Sequence, residues 1–166
     1  MLSPYTVSVP IFVQLLTSLS AVLDKADAYA EEKMVDRDFL LNMRLYPDMY
    51  SVIRQVQQAT SHAARISAAL ASIEPPKMQN NEKTFSDLKA RIAETIDFLR
   101  GLKPKQFEGA DDKPIKVGKH SAAGRVLLLT HAYPQFYFHC TTAYDILRHC
   151  GVPLVKADFL GTRADI

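Results

Sequence analysis

Cysteine is scarce in this chain. Only Cys140 and Cys150 occur among 166 residues. Ten residues apart on one helix, they would lie about 15 Å apart along its axis, and a disulfide needs Cα atoms within about 7 Å. The two cannot pair with each other, and a reducing, cytoplasmic setting fits. Charge of one sign is also scarce. The net charge is +2, from 20 basic and 18 acidic residues, and no basic run reaches four residues. A nucleic-acid partner needs a clustered basic footprint, so none is expected. No apolar run approaches the roughly 20 residues of a membrane span, and no membrane association is expected. The opening "MLSPYTVSVPIFVQLLTSLSA" lacks the positive first region of a secretory signal and carries two prolines. Gly-rich phosphate loops, GxSxG elbows and CxxC pairs do not occur, and neither do internal repeats.

What the chain does have is helical periodicity. Hydrophobic residues make up 48% and charged residues 23%, ordinary for one globular domain that can bury a core. Ile11, Phe12, Leu15, Leu16, Leu19, Val22, Leu23 and Ala26 form one stripe. They predict a helix over about 8–33, with Pro10 in its first turn. A short helical or irregular piece, "DRDFLLNMRLYPDMY", follows. Val52, Val56, Ala59, Ala63, Ile66, Leu70 and Ile73 alternate spacings of four and three, a heptad seam closed by Pro75 and Pro76. After the polar linker 74–83, Thr84 and Asp87 have the spacing of a capping box. A third stripe runs from Phe85 to Leu102. Residues 105–120 read as a loop with a short hairpin around "IKV". A last helix is expected from an N-cap at Ser121, straight across Pro134 with a kink there, to Gly151 and Pro153. The tail after it should pack across one end. The fold class is all-α, a bundle of four long helices with two longer connections.

The chemistry-bearing stretch is "HAYPQFYFHCTTAYDILRHCG", residues 131–151. Phe136 lies on the seam of the last helix and Tyr137 and Phe138 lie off it, which predicts core packing plus a dimer contact. His62 and His139 each precede a seam residue, Ala63 and Cys140, and so project from the edge of the inward face. His131, Gln135 and His139 form one row at spacings of four. Imidazoles from facing helices are how bundles hold divalent metals. The plainer reading is two histidines hydrogen-bonded at the bundle edge. His120 and His149 read as solvated or helix-terminal. Cys140, on the seam, reads as a small buried hydrophobe. Cys150 sits at a helix C-terminus, where the dipole does not activate a thiol.

The segments "RLYPDMYSVIRQVQ" (44–57), "FYFHCTTAYDILRHCGVPL" (137–154) and "KADFLG" (156–161) resemble the DUF1993 family. That family is grouped with the DinB/YfiT-like superfamily of metalloenzymes. "VPIFVQLLTSLSAVLDKA" and "TFSDLKARIAETIDFLRGL" extend the resemblance over nearly the whole chain. It implies a DinB-like four-helix bundle with long crossover connections. It also implies a divalent metal, Zn or Ni, held by a histidine of the second helix and an HxxxH pair of the fourth. Leu147 and Arg148 place the last of these at His139, and His62 matches the second-helix ligand. The partner four residues earlier is Gln135, which departs from the pattern and makes a poorer site. His131 would replace it only if the chain at Pro134 turned it inward, so the site is either weak or vestigial. Tyr137 and Asp48 are the nearest orienting groups. Metal-dependent hydrolase or thiol-transfer chemistry follows by analogy. The competing expectation is a dimeric, non-enzymatic protein that binds a small ligand or a partner and holds no metal.

Overall fold

Residues 3–164 are described by a computed structural model. The structure is mostly helical with one small two-stranded sheet. Helix α1 spans Val9–Lys33, with Pro10 in its first turn, and buries Phe12, Leu16, Leu19, Leu23 and Ala26. It ends where Met34 turns left-handed at φ 53° and its N–H reaches back to the carbonyls of Ala30 and Glu31. By length and mean hydropathy α1 passes as a membrane span, but half of that apolar window is buried inside the protein. The short "DRDFLLN" piece is helix α2, Arg37–Asn42, capped by the Asp36 side chain accepting from the Asp38 N–H.

Helix α3, Val52–Leu70, is shorter than its seam predicts. The chain leaves the helix at Ser72, where φ is +57°, rather than at the prolines. Ile73 is therefore left 39% exposed and off the seam. Helix α4, Phe85–Gly101, starts as the sequence predicts. The Asp87 N–H donates to Thr84 Oγ1 at 3.0 Å, and the Thr84 N–H donates to Asp87 Oδ2 at 2.9 Å.

The linker between α3 and α4 is anchored from below by Arg91 of α4, which is 5% exposed. Arg91 Nη1 donates to Glu82 Oε1 at 2.7 Å and to the Gln79 carbonyl at 2.9 Å. Its Nε donates to Thr60 Oγ1 at 2.7 Å, and its Nη2 to Ser61 Oγ at 3.0 Å and the Gln57 carbonyl at 3.2 Å. Gln57 Nε2 closes the network on Glu82 Oε2 at 2.7 Å. A buried ion pair tolerates desolvation only when its remaining donors and acceptors are met in this way.

The expected hairpin is strand β1, Pro114–Val117, paired antiparallel with strand β2, His120–Ala123. Gly118, at φ +60°, opens the two-residue turn. Ser121 belongs to β2 and caps no helix. The chain turns helical at Gly124 instead, where a Cβ would run into the Ala110 carbonyl and Leu70. A short helix α5, Gly124–Leu127, leads into a π turn over Leu128–Ala132 and then helix α6, Tyr133–His149. The π turn relates directly to Pro134. An α-helical proline has no N–H and crowds the carbonyl four residues back, here Thr130. The widened turn, closed by the Tyr133 N–H on the Leu128 carbonyl, absorbs that conflict within a continuous helical path.

Helix α3 packs on α6 and α4, and α1 packs on α4 and α6. Helices α1 and α3 also touch, so each long helix has at least two long neighbours. One hydrophobic cluster fills the space between them, with Phe12 and Phe136 edge-to-face at 4.8 Å. Each such ring contributes on the order of 1.5–3 kcal/mol by burial. The tail forms helix α7, Lys156–Leu160, which packs along α1. It is held there by Gln14 Nε2 donating to the Leu160 carbonyl at 2.8 Å and by the Lys25–Asp158 ion pair at 2.7 Å.

Candidate functional site

The α3–α6 interface carries the histidines. Ala63 and Cys140 are 0% and 2% exposed, so the residues just before them, His62 and His139, emerge at the edge of the same interface. His139 is itself buried. Their rings lie 5.6 Å apart, centre to centre, and are nearly parallel at 13°.

The proton on His139 can be assigned from its surroundings. Gln55, one heptad before His62 on α3, is 1% exposed. Its Nε2 donates to the Tyr50 carbonyl at 3.1 Å, which leaves its oxygen facing His139. Gln55 Oε1 lies 2.6 Å from His139 Nδ1. An amide oxygen only accepts, so Nδ1 carries the hydrogen and Nε2 presents a lone pair. This is the arrangement that a neighbouring acceptor imposes on a ligating imidazole. Tyr50 also stacks on His139 at 6.3 Å, and Arg54 lies 5.4 Å from the centre of the Tyr50 ring.

Both imidazoles are held neutral. Burial pushes His139 down to about 4, aided by the Arg54 charge. Burial likewise pushes His62 down to about 4, with smaller contributions from His139, His131 and Arg65. A neutral imidazole is the form that binds metal.

The row predicted on the last helix is partly realised. His131 lies 5.9 Å from His62, and beyond it His120 of β2 lies 4.3 Å from His131. Burial, then the His120 charge, lowers His131. The histidine of α3 therefore has one α6-side imidazole on either flank. His131 and His139 are eight residues apart, about 12 Å of helical rise. Among the described residues, no three His, Cys, Asp or Glu side chains converge as a metal site. His131 meets His62 but does not complete a three-histidine set with His139. Gln135, four residues before His139 on α6, is half-buried.

The remaining expected residues are Asp48 and Tyr137. Asp48 is exposed in the turn before Tyr50. Tyr137 packs against Tyr133 and Phe136 at 5.4 and 5.9 Å, and burial raises its hydroxyl. Cys140 is buried, and burial pushes its thiol well above the usual range. Burial raises Cys150. Residue spacing alone does not single out Gln55, Tyr50 or Arg54 as site residues. The signal for Gln55 was its heptad relation to His62 at an otherwise apolar interface.

The donor set fits a divalent ion in part. Two imidazoles sharing one ion at about 2.0–2.1 Å place their ring centres roughly 5–6 Å apart, and the observed separation is 5.6 Å, but the rings are stacked nearly parallel at 13°, so one of them must turn for both in-plane lone pairs to meet at one ion. Gln135 adds at most an amide oxygen, a weaker donor for Zn or Ni than a third imidazole.

The family model described as "Domain of unknown function (DUF1993)" matches residues 4–160. The chain belongs to the DUF1993 family. It is also similar to a DinB family member protein from Shewanella denitrificans known from its crystal structure. The identity is 40%, the match covers 96% of this chain and 92% of that one, and the TM-score is 0.91. No curated protein matches the chain. In this DUF1993 chain, the helices that bring His62 to His139 belong to a fold shared with a DinB family member.

Proposed function

We propose that this protein is a single-domain, DinB-like four-helix bundle that binds a divalent metal, Zn or Ni, between α3 and α6. His62 and His139 are the ligands and Gln135 is a weak third donor. The four long helices, each with at least two long neighbours, support the bundle reading. One observation carries the metal reading: His139 Nδ1 is tied to Gln55, so its Nε2 lone pair is left on offer beside a second neutral imidazole. A divalent ion held there supplies Lewis acidity, which metal-dependent hydrolysis and thiol transfer both require. The chain's own groups orient the donors through Gln55 and keep them deprotonated by burial.

Elemental analysis of the purified, untagged protein beside His139→Ala tests this reading. Stoichiometric Zn or Ni in the parent, lost in the variant, is the expected result. No metal in either after incubation with excess Zn and Ni overturns it. That outcome favours the second reading, a dimeric non-enzymatic protein with a small organic ligand.

The exposed apolar side chains of the α5–α6 region favour a homodimer in both readings. Val126, Leu129 and Phe138 are 47%, 54% and 53% exposed. Light scattering on a Leu129→Glu/Phe138→Glu variant checks this, the expected result being a monomer. The free thiols accord with a cytoplasmic location.

A further inference from the structure

The outer face of α3 borders a groove of about 640 Å³ whose other wall is the linker from Glu74 to Asn80. A smaller space of about 230 Å³ shares Arg65, Glu74 and Pro75 with it and continues to Lys116 of β1. Four cations line this continuous groove: Arg54, Arg65, Lys77 and Lys116. Among the described residues none of the four forms an ion pair. Glu74 is the one carboxylate among the lining residues. Elsewhere Lys25, Lys33, Arg37, Lys89, Arg91 and Arg125 each have a carboxylate partner. The lining of this groove therefore carries four cations against one carboxylate.

The groove lies beside the histidine pair. Gln58 and Arg65, both in its wall, are one helical turn before and after His62 and share its side of α3. Arg54 is fixed by donating from Nη1 to Gln57 Oε1 at 2.8 Å and by the Tyr50 ring that stacks on His139. Pro75, Pro76 and Met78 add apolar wall. The volume falls in the range of small-molecule sites, about 300–1,000 Å³, and guanidinium groups suit planar oxyanions.

We propose that this groove binds a small organic anion, a carboxylate or phosphate with an apolar body, and presents it to the His62–His139 site. Arg54 and Arg65 hold the oxyanion, and the proline–methionine wall takes the body. The inference rests on the metal reading for what the site then does with the ligand, but not for the binding itself.

Titration calorimetry at low ionic strength tests it, with inorganic phosphate and benzoate as probes. Wild type, Arg54→Gln/Arg65→Gln, Arg65→Gln and the distant control Lys105→Gln are compared. Each is measured after chelator treatment and after zinc loading, with circular dichroism confirming the fold. The expected result is binding of at least one probe by wild type and control. Affinity falls about 10-fold or more in the double variant and several-fold in Arg65→Gln, with zinc content unchanged. Preference for phosphate assigns a phosphoryl head, and preference for benzoate a carboxylate with an apolar body. Wild-type protein that binds neither probe, or a double variant that binds as well as wild type, overturns the proposal. Loss of anion binding with zinc retained, and the converse, separate failure of this proposal from failure of the metal reading.

Discussion

Helix α3 has two polar edges flanking the same apolar seam, and they are built on opposite plans. On one edge Gln57, Thr60 and Ser61 meet Arg91 and Glu82. The guanidinium makes five hydrogen bonds there, and both carboxylate oxygens of Glu82 are taken. On the other edge Gln55 and His62 meet His139, and among the described residues only one ring nitrogen of His139 is engaged. Burying polar groups costs free energy on both edges. The first edge recovers that cost internally by saturation. The second leaves ring nitrogens without a partner among the described residues, at the rim of the interface and open to something else. Satisfaction of hydrogen bonds, more than burial or residue type, separates the structural cluster from the candidate site.

The strongest way to break this comparison is to cut the saturated edge. Arg91→Met strands the Glu82 carboxylate and should destabilise by about 3–5 kcal/mol, read from urea denaturation. Zinc per folded protein should stay the same. Next come changes at the open edge. Gln55→Leu removes the group that fixes the His139 tautomer and should weaken zinc binding by about 10- to 100-fold in a chelator competition. Gln135→His should tighten it by about 10-fold or more by restoring a third imidazole. A purely structural edge predicts no change in either case.

Acid sharpens the contrast by a smaller amount. The unfolded imidazoles take up protons from about pH 6.5 downward, whereas folded His62 and His139 do so only near 4. The unfolded state therefore binds more protons in between. Stability is fully present above about pH 6.5, falls as pH drops toward 4, and then levels. The loss should be on the order of 1 kcal/mol per ring after discounting solvent screening. His62→Gln should flatten the urea midpoint against pH. Smallest of all, Arg37→Gln breaks two exposed ion pairs, to Asp27 and Glu31, and should leave the midpoint unchanged within error.

Much of this was legible in one dimension. The α1 stripe, the Thr84–Asp87 box and the seam of α3 follow from residue spacing, because periodicity and capping report a helix's own geometry. The hairpin around "IKV" was legible from its glycines and β-branched residues. Less legible was the end of α3, which Ser72 sets by a left-handed turn before the prolines are reached. Pro134 announced a disturbance but not its form, a π turn and not a simple kink.

For the candidate site, the sequence determined which residues stand at the interface edge: His62, His139 and the row containing Gln135. It could not determine which of them meet, because that depends on the axial offset between α3 and α6. Packing of Ala63, Cys140 and their neighbours sets this offset, and no local pattern encodes it. Tertiary structure alone decided that Gln55 faces His139, that His131 and His139 flank His62 from opposite sides, and that the linker leaves four cations along one groove. Such pairings join residues tens of positions apart, and only the packed core brings them together.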